Sequence, residues 1–227
     1  MINETESLKK TIQIIETQNK EEKLIFSFLC SKALTSKDSI DICENYKKID
    51  EFKYKIIFQN RKGLGGAFID SFSNLNTTHA IMMASDLETD PETVKNLIKI
   101  SKININSIIC TSRWINKNSF SEYGLIKKIL NFIFQKFFGI VFKVDLSDLT
   151  FGFRLYPTSI LKDIEWEINN FGFLFESIIK PVHLGYKTLE IATKWRKREE
   201  GVSSNNLMFY IAYFYIAFKI KMDFKRR

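Results

Sequence analysis

The chain predicts an α/β fold: a mostly parallel sheet with helices on both faces. Two observations carry that expectation. Strand-length apolar runs alternate with helix-spaced segments from residue 4 to residue 111, the order that buries a parallel sheet between helices. No repeat, low-complexity linker or clear internal boundary interrupts the 227 residues, and only three are proline. In chain order, residues 4–17 place Leu8, Ile12 and Ile15 at helical spacing, and 24–30 form an apolar run of strand length. Residues 39–48 put Ile40, Cys43 and Tyr46 on one side of a helix, and 54–58 form a second strand. Residues 63–72 open with glycines and continue as a helix, and 79–83 form a third strand. Asp90-Pro91-Glu92 reads as a helix start, with Asp90 capping and Pro91 in the first helical position. The helix runs to residue 101, and 105–111 form a β-branched strand.

Composition narrows the partners. A chain of 227 residues with 45% hydrophobic and 26% charged residues has enough apolar material for a real core and is not a disordered composition. Its net charge of +8 implies an anionic partner: a nucleotide, a lipid phosphate or a membrane surface. Nucleic acid is not expected, because the basic residues are scattered among apolar helices and no recognition motif accompanies them. Cys30, Cys43 and Cys110 have no metal-ligand spacing and read as buried thiols of a reducing compartment. His79 and His183 are isolated and read as packing or surface residues. The polar, helix-like start is not a signal peptide pattern.

Two segments are more apolar than a one-faced helix requires. Residues 124–144 carry Leu125, Ile126, Ile129, Phe132, Ile133 and Phe137 on more than one stripe, with Lys127, Lys128 and Lys136 among them. Either the helix lies in a lipid headgroup region with its lysines reaching phosphates, or it is a core helix with lysines at the rim. Residues 207–227 form an aromatic run with a basic end, expected as an amphipathic C-terminal helix that associates with a membrane or docks on the core. No run is long and apolar enough to predict a spanning helix.

The chemistry-bearing residues fall at strand ends. Asp86 and Glu88 sit in the loop after the third strand, at the sheet edge where α/β proteins bind ligands. Acids at this spacing suit a divalent cation held against a diphosphate, and the plainer reading is a capped, solvated loop. Gly63, Gly65 and Gly66 open a helix after a strand, where backbone N–H groups can approach a phosphate. Arg113 ends the fourth strand beside Ser112. Residues 195–203, with Arg196, Lys197 and Arg198, form a basic loop able to close over a diphosphate.

Taken in order, these pieces resemble glycosyltransferase family 2, and in particular its polyprenyl- or dolichyl-phosphate mannosyltransferase branch. The matching residues are Asn3-Glu4, Gly63-Leu64-Gly65-Gly66-Ala67, Asp86-Leu87, Asp90-Pro91-Glu92 and Ser112-Arg113. Asp148 with Thr150, Gly152-Phe153-Arg154, Phe173 with Glu176, Gly185-Tyr186, and Arg198 with Gly201 and Ser203 continue the series over residues 2 to 206. The resemblance implies a GT-A type nucleotide-diphospho-sugar transferase fold over 1–206 and inverting transfer of a hexose to a polyprenyl phosphate or related lipid-linked acceptor. It implies Mg²⁺ or Mn²⁺ held by Asp86 and Glu88, and a donor site of Glu4, Gly63, Gly65, Ser85, Asp86, Arg198 and Ser203. Arg113, Lys127 and Asn131 are implied as the acceptor-phosphate site, with Asp86, Arg113 and Arg198 carrying the catalysis, on the cytoplasmic face of a membrane. Departures matter. Ala84 stands at the first acid of the family's Asp-X-Asp, Lys32 and Ala33 at its paired aspartates, and no apolar strand precedes Glu4 in the given sequence. A degenerate member that binds a sugar nucleotide or partner enzyme without catalysis is the competing expectation.

Overall fold

In the computed structural model, residues 2–117, 119, 124–198, 200 and 214–222 are described. The first half follows the alternation: α1 (Glu6–Gln18), β1 (Phe26–Cys30), α2 (Lys37–Ile49), β2 (Tyr54–Phe58), α3 (Gly63–Phe72), β3 (His79–Met82), α4 (Thr93–Ile103) and β4 (Ile108–Ser112). After α5 (Leu125–Phe142) come β5 (Arg154–Pro157), α6 (Thr158–Asp163), α7 (Phe173–His183) and β6 (Thr188–Ala192). The parallel character is kept in two pairs, β1 with β2 and β4 with β6. β5 runs antiparallel between β3 and β4, so the larger sheet is mixed, in the order β3-β5-β4-β6. β1 and β2 form a separate sheet among the described residues.

Side-chain alternation along the strands sorts the helices onto two faces. Ile108, Cys110 and Tyr156 point into the larger core with residues of α5, α6 and α7. Ile109 and Leu155 point the other way, toward Val94 and Leu97 of α4 and Ile15 of α1. A third cluster joins Leu8 and Ile12 of α1 to Phe28, Cys43 and Tyr54. The aromatic surplus is spent in the larger core, where Phe134, Phe138 and Phe142, one turn apart on α5, meet the Phe175 ring with centroids 5.5–5.7 Å away. Residues 214–222 are helical and bury Ile216, Ala217 and Ile220 in that same core. The rest of the expected 207–227 helix lies outside the described residues. The capped start of α4 lies slightly later than expected: Asp90 accepts the Glu92 N–H (3.3 Å) through Oδ1, and the regular helix begins at Thr93. All three cysteines are buried thiols, as their spacing suggested.

Candidate functional site

The loop leaving β3 turns sharply at Leu87, whose φ of 62° is uncommon for a residue with a side chain. The turn lets Asp86 Oδ1 accept the Glu88 N–H at 3.1 Å and brings both carboxylates to one guanidinium. Arg198 Nε donates to Glu88 Oε1 at 2.9 Å, and Nη2 lies 3.4 Å from Asp86 Oδ2. Asp86 is buried, and burial together with the neighbouring Glu88 charge pushes its carboxyl up to about 6. The Glu88 N–H and the Arg198 charge act in the opposite direction and do not cancel this.

Arg198 is carried by a strap that crosses the site after β6. Thr193 N–H donates to Ser112 O (3.0 Å), Thr89 and Trp195 form an antiparallel bridge, and Arg196 N–H donates to Glu88 O (3.4 Å). Beyond Arg198, the Glu200 carboxylate caps α1. It accepts the N–H groups of Thr5 (2.8 Å), Glu6 (3.1 Å) and Ser7 (3.1 Å), and the hydroxyls of Thr5 (2.9 Å) and Ser7 (2.7 Å). Burial opposes ionisation of this carboxyl, but the donors outweigh it and hold it at about 2. Nothing in the sequence singles out Glu200. Its partners lie 193 to 195 positions away, and its only signal was membership of a basic loop.

The opposite wall is a closed network. Arg113 donates from Nε to Asp148 Oδ2 (2.7 Å) and from Nη2 to Asp148 Oδ1 (2.9 Å), a bidentate pair with both side chains buried. Its guanidinium also lies 4.5 Å from the Phe151 ring centroid. Gln135 ties Asp148 and Thr150 together and accepts the Leu149 N–H (2.7 Å). Glu190 of β6 accepts the N–H groups of Ser147 (2.9 Å) and Asp148 (3.1 Å). Arg154 and Glu176 do not pair with each other. Arg154 donates to the Leu149 and Leu174 carbonyls, while Glu176 accepts the N–H groups of Glu167 and Ile168 and meets Lys180.

One cleft of about 1570 Å³ collects the expected residues. Glu4, Ser85, Asp86, Glu88 and Arg198 line it from the acid side. Arg113, Lys127 and Asn131 line it from the other, Lys127 exposed and Asn131 bonded to Gln135 (3.2 Å) one turn on. Gly63 and Gly65 are placed differently. A Cβ on either would collide with the carbonyls of residues 168 and 169, and the Gly66 N–H donates to Asn169 O at 2.9 Å. The glycines thus let α3 press against the 168–170 segment, and α3 faces the cleft instead with Leu64, Ala67, Phe68, Ser71 and Phe72. Ser203 lies outside the described residues. Among the described residues no group of three or more His, Cys, Asp and Glu could hold a metal. Asp86 and Glu88 offer two hard oxygen ligands already gathered round a cation, a donor set that fits Mg²⁺ or Mn²⁺ if a substrate completes it.

Solved structures identify the fold. Glucosyl-3-phosphoglycerate synthase from Mycobacterium tuberculosis, in complex with Mn²⁺, uridine diphosphate and phosphoglyceric acid, matches with a TM-score of 0.69 at 12% identity, covering 94% of this chain and 72% of that one. The same enzyme with Mg²⁺ and uridine diphosphate matches with a TM-score of 0.61 at 13% identity, covering 89% and 70%. The fold is the GT-A type of the glycosyltransferases. Within that class the description "Glycosyl transferase family 2" matches residues 1–165, and the chain belongs to this family. A curated relative, undecaprenyl-phosphate mannosyltransferase of Micrococcus luteus, is 23% identical over 149 residues, 63% of this chain. The match spans 60% of that relative's length.

Proposed function

We propose that this chain transfers a hexose from a nucleotide-diphosphate sugar to the phosphate of a lipid-linked acceptor, a polyprenyl phosphate foremost, at the cytoplasmic surface of a membrane. The observation that carries this reading is the convergence of the Asp86–Glu88–Arg198 cluster and the Arg113, Lys127 and Asn131 groups on one cleft. The solved relatives bind uridine diphosphate with Mn²⁺ or Mg²⁺, and the curated relative is named for undecaprenyl phosphate. Both support the assignment of donor and acceptor classes.

The residues divide the work by charge. Asp86 and Glu88 would hold Mg²⁺ or Mn²⁺, which supplies neutralisation of the departing diphosphate. Arg198, within reach of both acids, adds a second positive charge to that leaving group. Glu4 and Ser85 face the nucleoside and sugar ends of the donor. Lys127 attracts the acceptor phosphate, while Arg113, its orientation fixed by Asp148, and Asn131 set its position. An ionised phosphate is already a nucleophile, so in-line attack with inversion needs no strong base.

The acceptor's lipid tail has a surface beside the cleft. α5 exposes Ile126 (72%), Ile133 (54%), Phe137 (51%) and Ile140 (79%) along with Lys127 and Lys136. Phe214, Tyr215 and Phe218 of the 214–222 helix are exposed, and the Phe214 ring meets the Phe137 ring with centroids 6.1 Å apart. An apolar face with lysines among it suits the headgroup region of an anionic bilayer. No described helix is long and apolar enough to cross a membrane.

The test is release of nucleoside diphosphate from a panel of nucleotide sugars by purified protein with Mn²⁺ and polyprenyl phosphate in vesicles. Turnover with wild type and none with Asp86→Ala supports the reading; equal turnover in both removes Asp86 from the site. The non-catalytic alternative has its own motivating observation, because Arg198 already takes up the charge of both acids and Ala84 offers no ligand. It predicts that sugar nucleotides raise the melting temperature while no donor turns over.

A further inference from the structure

Asp86 and Glu88 share a counterion whose main chain is fixed and whose side chain is not. Arg198 Nε donates to Glu88 Oε1 at 2.9 Å, and Nη2 lies 3.4 Å from Asp86 Oδ2. The other Asp86 oxygen, Oδ1, accepts the Glu88 N–H at 3.1 Å. The Asp86 oxygen left for a cation is therefore the one that faces the guanidinium. On either side of Arg198 the main chain is pinned. Trp195 bridges to Thr89 and donates its N–H to Ser119 O (3.1 Å), and Arg196 N–H donates to Glu88 O (3.4 Å). Two residues beyond Arg198, the Glu200 carboxylate is held by the N–H groups of Thr5, Glu6 and Ser7. The Arg198 side chain is 22% exposed and lines the cleft beside both acids. Glu4 lines the same cleft, and its charge acts on Asp86 and Arg198 alike. Three carboxyl groups around one guanidinium favour further positive charge.

We propose that Arg198 and a divalent cation are alternative occupants of the Asp86–Glu88 pair, and that they exchange by a swing of one side chain while the strap's main chain stays in place. Both need the same carboxylate oxygens. Mg²⁺ takes such oxygens at about 2.0–2.1 Å, closer than an N–H···O contact, and two positive groups drawn to one oxygen repel each other. The planar guanidinium fork can span two carboxylates, and its flexible stem lets it leave them without the backbone following. Once displaced, Arg198 still lines the cleft, and the diphosphate of a donor is the group that would accept its N–H bonds. That hand-over rests on the nucleotide-sugar reading; the competition for the acids does not. A cation alone leaves Arg198 without its carboxylates, and a donor alone draws Arg198 off acids that then face the diphosphate unpaired. The two together satisfy all of these charges, so each tightens the binding of the other by the same factor.

Mn²⁺ binding to the full chain, followed by the EPR signal of the free ion at one pH, tests the exchange without turnover. In the absence of nucleotide, Arg198→Gln should bind Mn²⁺ about tenfold tighter than wild type, the low end of the coupling between close charge pairs. Arg196→Gln removes the same charge from the same strap, at an exposed side chain that does not line the cleft, and should stay within about twofold of wild type. Unchanged or weaker binding in Arg198→Gln overturns the proposal, and so does an equal gain in both variants, which would make the effect one of overall charge. Arg198→Lys keeps the charge without the fork and should fall between wild type and Arg198→Gln. Where the Gln variant does not fold, Lys decides: tighter than wild type supports the exchange, and equal or weaker binding overturns it. Adding members of a nucleoside diphosphate panel should tighten Mn²⁺ binding more in wild type than in Arg198→Gln, after chelation by the free nucleotide is subtracted; equal tightening overturns the hand-over. If no nucleoside diphosphate binds either protein, the nucleotide-sugar reading fails, while the Mn²⁺ affinities of the Arg198 variants still decide the exchange.

Discussion

On the Arg113 wall of the cleft a buried guanidinium meets its carboxylate through paired hydrogen bonds of 2.7 and 2.9 Å, whereas on the Asp86 wall two carboxylates crowd one guanidinium, one of them at 3.4 Å. The first wall adds Gln135 and Glu190 as further partners. The second adds a left-handed Leu87 and a carboxyl pushed up to about 6. One wall is satisfied without ligand and the other is not. A binding site needs both: a frame that does not move when substrate arrives, and a charge cluster that gains by its arrival.

The largest effect should come from breaking the satisfied wall. Asp148→Ala leaves Arg113 buried without its carboxylate, and removing one partner of a buried pair costs about 3–5 kcal/mol. A denaturant midpoint measures it, and a loss below about 1 kcal/mol would mean that the network is not the rigid half. Gly65→Ala comes next, because its Cβ would lie 2.5 Å from Phe173 Cβ and closer still to the Ile168 carbonyl. Overpacking of this kind costs about 1–3 kcal/mol. Unchanged stability with weakened donor binding would instead assign the glycines to a phosphate.

The sequence made local chemistry legible and long-range pairing not. Residues 54–58 and 63–72 were readable to the residue because apolar spacing and a glycine start are local signals. β5 was hidden, being four residues with Arg154 and Pro157 at its ends, placed antiparallel by partners more than forty positions away. β6 was hidden by Glu190, a charge inside a strand that makes sense only once Ser147 and Asp148 lie against it. Asp86, Glu88 and Arg198 could each be named from sequence, but that one guanidinium spans both acids is a fact of folding across 110 positions. The glycines show the opposite failure. Their pattern suits a phosphate, and the neighbour that explains them, the carbonyl run at 168–169, carries no motif.

The unsatisfied wall should behave in reverse to the first. The Asp86 carboxyl stands at about 6 against an ordinary 3.8, so between those values the folded state keeps a proton that the unfolded state has released. Stability therefore falls as pH rises through that window, and the cost is complete above about 6. Asp86→Asn removes the charge while its side-chain oxygen can still accept the Glu88 N–H. Without ligand it should be more stable than wild type at pH 7 by about 1–2 kcal/mol, less than the ~3 kcal/mol of the full shift. The gain should shrink toward pH 4, and thermal melts across that range check it. A destabilised Asn variant would mean that Arg198 compensates the pair fully and that the two walls are alike.

Glu200 tests whether the strap that carries Arg198 belongs with the rigid wall or the poised one. Its carboxyl is held at about 2 against an ordinary 4.5, so its contribution is present above about 4.5 and is lost as pH falls toward 2. Glu200→Gln keeps an acceptor for the α1 N–H groups but gives up the charge at the helix start, an effect of about 1 kcal/mol. The more telling measurement is donor affinity. Arg198 lies two residues from this anchor and meets Asp86 and Glu88, so a loosened strap should raise the KM for a nucleotide sugar more than it lowers kcat. A fall in melting temperature with KM unchanged would make Glu200 a helix cap alone, and would leave Arg198 positioned by the acids it meets rather than by the frame behind it.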